Sequence, residues 1–160
     1  MRGTRIIASL ALVYSFAAPR LTAQVPAPVD PCSLLTAAEV SAIVGIKSLP
    51  GHPYLGSKVV CLFAADTGVV IGAAAVNVMV LTPAMYQNQK NMGGALAPKP
   101  VSGIGDEAYR VGSGGYVKLE VLKGGHAFSV TIAEGTELKA TADQLAKMEE
   151  ALAQKAVGRI

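Results

Sequence analysis

The sequence predicts a single α+β domain: an antiparallel sheet of about five strands with two or three helices packed on one face, in the order α-β-β-α-β-β-β-α. Three observations carry this. Helix starts are marked by Thr36 with Glu39, by Thr141 with Gln144, and by Thr82 before Pro83. Several segments alternate apolar and polar residues and are joined by turns short enough for hairpins. No alternating strand–helix series is present, which argues against a doubly wound sheet. At 160 residues, 51% of them apolar, the chain can build one core but not two. Only 5% of residues are aromatic and none is Trp, so Val, Leu, Ile and Ala must fill that core.

The first 23 residues read as a cleavable export signal. Arg2 and Arg5 form a basic start, and residues 6–18 are uncharged and mostly apolar. That run is short of the roughly 20 residues a spanning helix needs and suits a signal-peptide core. Cleavage is placed after Ala23. No stable membrane anchor is expected afterwards, because Val29-Asp30-Pro31 before Cys32 does not offer the small residues that lipoprotein processing needs. Removing Arg2, Arg5 and Arg20 leaves 11 basic and 11 acidic residues, so the basic balance belongs to the leader. A neutral domain without a basic cluster gives no reason to expect nucleic acid as a partner. The expected location is the periplasm or the surrounding medium.

Residues 24–31, with Pro26, Pro28 and Pro31, read as an extended tether before a domain at 32–160. The Thr36–Glu39 capping box starts a helix running to Val44, with Gly45 as its left-handed stop. Residues 46–57 hold Pro50, Gly51, Pro53 and Gly56 and read as loop. Strands follow at 59–65 and 69–81, joined by a turn. Thr82-Pro83 opens a helix to about Met92, and 95–100 is again loop. Strands at 107–111, 116–123 and 126–133 follow, with one wet face expected on the last two, where Tyr116, Lys118 and Glu120 alternate with Val117, Leu119 and Val121. The last helix, capped by Thr141 and Gln144, runs to Val157 with Leu145, Met148, Leu152 and Ala156 as its buried stripe.

Cys32 and Cys61 are the chain's two cysteines. In an exported protein an even pair usually oxidises, here pinning the first helix to the first strand. A metal pair needs more ligands than His52 and His126 add, and a reactive thiol needs a base and an orienting group that the sequence does not mark. Gly112 to Gly115 lacks the Gly-Lys-Ser/Thr ending of a phosphate loop and reads as a hairpin turn. His52 and His126 stand without a nucleophile elbow or metal spacing. No catalytic residue, metal ligand or cofactor is assigned.

Two segments remain as candidate contacts. Asp106 and Glu107, in Ser102-Gly103-Ile104-Gly105-Asp106-Glu107, are either turn-formers or a ligand contact. The strand at 69–81 is apolar on both faces, so Ile71, Ala73 and Ala75 lie either under a covering element or on a binding or homodimer surface. A pocket joining His126 to Asp106 or Glu107 would favour an enzyme. A flat patch at Ile71, Ala73 and Ala75 would favour binding.

Asp30-Pro31-Cys32-Ser33-Leu34-Leu35, the second cysteine at the first strand, and Gly103-Ile104-Gly105-Asp106-Glu107-Ala108 together resemble a broad group of uncharacterised exported bacterial proteins. The resemblance covers about residues 30–108. Many members of that group are lipoproteins, and this chain departs from them in lacking a lipidation site. The resemblance implies export, the disulfide and a compact α+β domain, and it transfers no catalytic residue. The function expected is a non-enzymatic envelope or secreted module binding a protein or a small apolar ligand. An extracytoplasmic hydrolase with a site assembled from distant residues, or an envelope assembly factor, is the alternative.

Overall fold

A computed structural model describes residues 27–67, 72–113 and 116–160. The expected leader at 1–23, the first tether residues 24–26, Ile71, and Gly114 and Gly115 of the expected hairpin turn lie outside the described residues. The chain forms an α+β domain with three helices and a seven-stranded, wholly antiparallel sheet. In chain order the elements are α1 (Ala37–Val44), β1 (His52–Pro53), β2 (Val60–Ala64), β3 (Ala75–Leu81), α2 (Pro83–Lys90), β4 (Lys99–Val101), β5 (Glu107–Ser113), β6 (Tyr116–Lys123), β7 (His126–Ala133) and α3 (Ala142–Val157). Across the sheet they lie as β1-β2-β3-β7-β6-β5-β4.

The expectation of five strands is therefore corrected to seven. The two additions, β1 and β4, fall in segments expected to be loops and contain Pro53 and Pro100. Proline cannot donate to a ladder and is confined to sheet edges, and both strands are edges. The strand expected over 69–81 begins only at Ala75 among the described residues.

The helix caps form as their residues require. Thr36 and Glu39 exchange side-chain and backbone hydrogen bonds, and Thr141 and Gln144 repeat the arrangement. Gly45 ends α1 at φ 78°, a conformation that costs residues bearing a Cβ about 1–2 kcal/mol. Cys32 lies in a short 3-10 turn, Pro31–Ser33, and is disulfide-bonded to Cys61 of β2. Pro31, at the end of the expected tether, is buried.

Period-two alternation divides the sheet into two faces. Val76, Val78, Leu119, Val121, Phe128, Val130 and Ile132 pack against Leu152, Ala153 and Ala156 of α3 and Val40 and Val44 of α1. Each large side chain removed from water there contributes about 1.5–3 kcal/mol. The other face carries Leu81, Tyr109, Val111 and Ala127, and these cluster with Tyr86 of α2. Helices thus cover both faces rather than one. The expected wet face is in part a second core: Glu120 is fully buried and Ser129 nearly so. Among the described residues, no helix is long and apolar enough to cross a membrane.

Candidate functional site

The second face of the sheet holds a buried polar group beneath α2. Antiparallel register places Tyr109 of β5 directly opposite Glu120 of β6. The Tyr109 hydroxyl lies 2.6 Å from Glu120 Oε2 and 2.7 Å from the backbone carbonyl oxygen of Tyr86, so its single proton serves two acceptors. The Tyr86 and Tyr109 rings sit 4.9 Å apart, tilted by 48°. Lys118 Nζ stands 2.6 Å from Glu120 Oε1, at an angle outside hydrogen-bond geometry, and donates to Gln89 on α2. The Tyr86 hydroxyl is buried, makes no hydrogen bond of good geometry among the described residues, and faces the Glu107 carboxylate, with the charge of Glu120 also near. Burial first, and those carboxylates second, push the Tyr86 phenol well above its ordinary range. Burial and the Glu120 contact do the same for Tyr109. Both rings are neutral wherever the domain is folded at ordinary pH.

Beside this buried group, and meeting it at Tyr109, is a surface that water reaches. Glu107 shares a strand face with Tyr109, and Lys90 lies one helical turn beyond Tyr86. Lys90 Nζ is 2.5 Å from Glu107 Oε1, with the two side chains 40% and 37% exposed. The opposite wall is the loop before β5. Ile104 anchors it in the main core. Gly105, at φ 62°, presses the loop onto β6: a Cβ there would stand 2.5 Å from the Leu122 carbonyl oxygen. The next amide, of Asp106, donates to that same carbonyl oxygen at 2.8 Å. The Asp106 carboxylate accepts from Lys123 Nζ at 2.9 Å and the Gly124 N–H at 2.7 Å, and these two partners lower its pKa. Between loop and helix lies a cleft of about 480 Å³, with Lys90, Pro100, Val101, Asp106, Glu107 and Tyr109 in its walls. Clefts of this size suit small ligands.

The residues singled out in the sequence separate accordingly. Asp106 and Glu107 both line the cleft but have different partners, and Asp106 caps the neighbouring β6–β7 turn rather than its own. Ala75 is buried, paired with Ala64 and Ala133, and Ala73 is half-buried against the main core. His52 is exposed on β1. His126 is half-buried opposite Lys123, outside the cleft. Among the described residues no group of three or more His, Cys, Asp or Glu could hold a metal ion. Tyr86, Lys90, Tyr109, Lys118 and Glu120 were not marked by sequence reasoning. The available signals were Tyr86 and Lys90 at helical i, i+4 spacing and Glu120 alternating away from Leu119 and Val121.

Two other clefts, of about 420 Å³ beside the disulfide and about 410 Å³ between β7 and α3, have no buried polar side chain in their walls. A second buried polar group, Arg110 with Glu149 and Glu150, lies on the opposite face and ties β5 to α3. No family model, no curated protein and no solved structure matches the chain.

Proposed function

We propose that this protein is a non-enzymatic binding module of the bacterial envelope, working in the periplasm or outside the cell, with its ligand in the cleft between the end of α2 and the β4–β5 edge. One observation carries this reading: an exposed ion pair, Lys90–Glu107, stands in the wall of a cleft beside Tyr109, whose side chain is buried and held by Glu120 and the Tyr86 carbonyl oxygen behind it. A buried, hydrogen-bonded wall limits the ordering cost of binding, and partly exposed charged side chains are free to re-pair with a ligand. The Cys32–Cys61 bond and the signal-like first 23 residues support the extracytoplasmic location. The Asp30–Leu35 and Gly103–Ala108 segments support kinship with the exported proteins they resemble.

The test is a titration of the ¹⁵N-labelled, disulfide-bonded protein with octanoate, leucine and trialanine. Binding in the cleft shifts the amides of Lys90, Ser102, Gly103 and Glu107 and leaves those of α3 in place. Shifts confined to other surfaces, or none with any probe, reject the cleft.

A further inference from the structure

Resting on that reading of the cleft, we propose that its ligand is an α-amino-acid zwitterion with an apolar side chain, its carboxylate on Lys90 and its ammonium on Glu107. Three lysine–carboxylate pairs involve β5, β6 and the segments beside them: Lys118–Glu120, Lys123–Asp106 and Lys90–Glu107. The first is locked by Tyr109 and Gln89, and the second by the Gly124 N–H. The third is the one whose two side chains stand in the cleft wall, both partly exposed, with the buried Tyr86 hydroxyl facing Glu107 from behind. Exposed ion pairs of this kind are weak and exchange readily with solvent.

Charge compensation then selects the ligand. An anion inserted at Lys90 leaves Glu107 without its cation, and a cation inserted at Glu107 strands Lys90. A zwitterion separates the pair while compensating both members. Charge-assisted hydrogen bonds of this type are the strong class. Pro98, Pro100 and Val101 line the same cleft and give the side chain of the ligand an apolar wall. The proline nitrogens carry no N–H, so a hydrocarbon placed there covers no donor of theirs. Lys90, in the last turn of α2, keeps its ammonium at the end of a long flexible stem and can swing outward to admit the ligand.

The experiment compares three probes by the same ¹⁵N titration: leucine, N-acetyl-leucine, which lacks the ammonium, and leucine amide, which lacks the carboxylate. Leucine is expected to saturate the cleft amides. Each blocked analogue should bind about tenfold more weakly or worse, as should leucine to Lys90→Gln and to Glu107→Gln. Both substituted side chains are partly exposed, so an unchanged ¹⁵N spectrum outside the cleft checks the fold of each variant. If a blocked analogue binds as tightly as leucine, the zwitterion assignment is overturned and the cleft stands. The same holds if octanoate or trialanine shifts the cleft amides while leucine does not. Silence of those amides toward every probe overturns the cleft and the zwitterion together.

Discussion

Glu149 of α3 accepts a hydrogen bond from the backbone N–H of Ile132 at 3.3 Å, two residues beyond Val130, where the pairing of β6 with β7 ends. The carboxylate is almost fully buried, and its nearest cation, Arg110 Nε, is 3.6 Å away. Arg110 also donates to the Ala146 carbonyl oxygen and to Glu150. Burial outweighs the help of Ile132 and Arg110 and pushes the Glu149 pKa up to about 7, with Glu150 adding to the rise. The folded pKa lies above the ordinary 4.5, so folding favours the protonated form. Its stabilisation is complete below about pH 4.5 and is lost as pH rises through about 7. Between those limits Glu149→Gln should gain about 3 kcal/mol relative to the parent protein. Urea unfolding at pH 4.5 and 8 measures this, and parallel stability profiles for the two proteins would refute it.

Removing the disulfide by Cys32→Ala with Cys61→Ala should cost about 3–4 kcal/mol, because the bond closes a loop with a sequence separation of 29. Thermal unfolding with and without reductant gives the same comparison. Loss of the staple frees the turn before α1 from β2, so amide exchange should rise first in α1. Uniform acceleration across the sheet would contradict that order.

Tyr109→Phe removes the hydroxyl that joins the Glu120 carboxylate to the Tyr86 carbonyl oxygen and leaves two buried acceptors short of a donor. A cost of about 2 kcal/mol is expected, together with faster amide exchange in α2. An unchanged unfolding midpoint with unchanged protection of α2 would mean that the bridge does not seat the helix.

Leu55 is 89% exposed and holds φ 48°, the left-handed region, in the turn after β1. Little packing opposes its replacement, and Asn tolerates that backbone. Leu55→Asn should therefore stabilise the domain by about 0.5–1 kcal/mol, read as a higher thermal midpoint. A lower midpoint would show that the leucine side chain makes contacts worth more than the strain.

The sequence by itself determined the elements whose signals are local. Thr36, Thr82 and Thr141 mark helix starts because a hydroxyl three residues from an orphan N–H satisfies it whatever lies beyond. Residues 116–123 and 126–133 are strands because alternation and a Gly-Gly turn specify them within a few residues. The disulfide followed from an even pair of cysteines in a chain whose first 23 residues read as an export signal. Tertiary structure alone decided the rest. β1 and β4 are strands only because a neighbour with free backbone groups lies beside Pro53 and Pro100, and a proline-bearing segment carries no pattern that announces this. Alternation placed Glu120 opposite the apolar face but could not show that α2 closes over it, since which face a helix crosses depends on a chain path set by distant contacts. Asp106 and Glu107 were legible as unusual. That Lys90 and Tyr109 complete a cleft with them depends on α2 and β5 meeting across the sheet, a relation between residues 19 positions apart that no local spacing encodes.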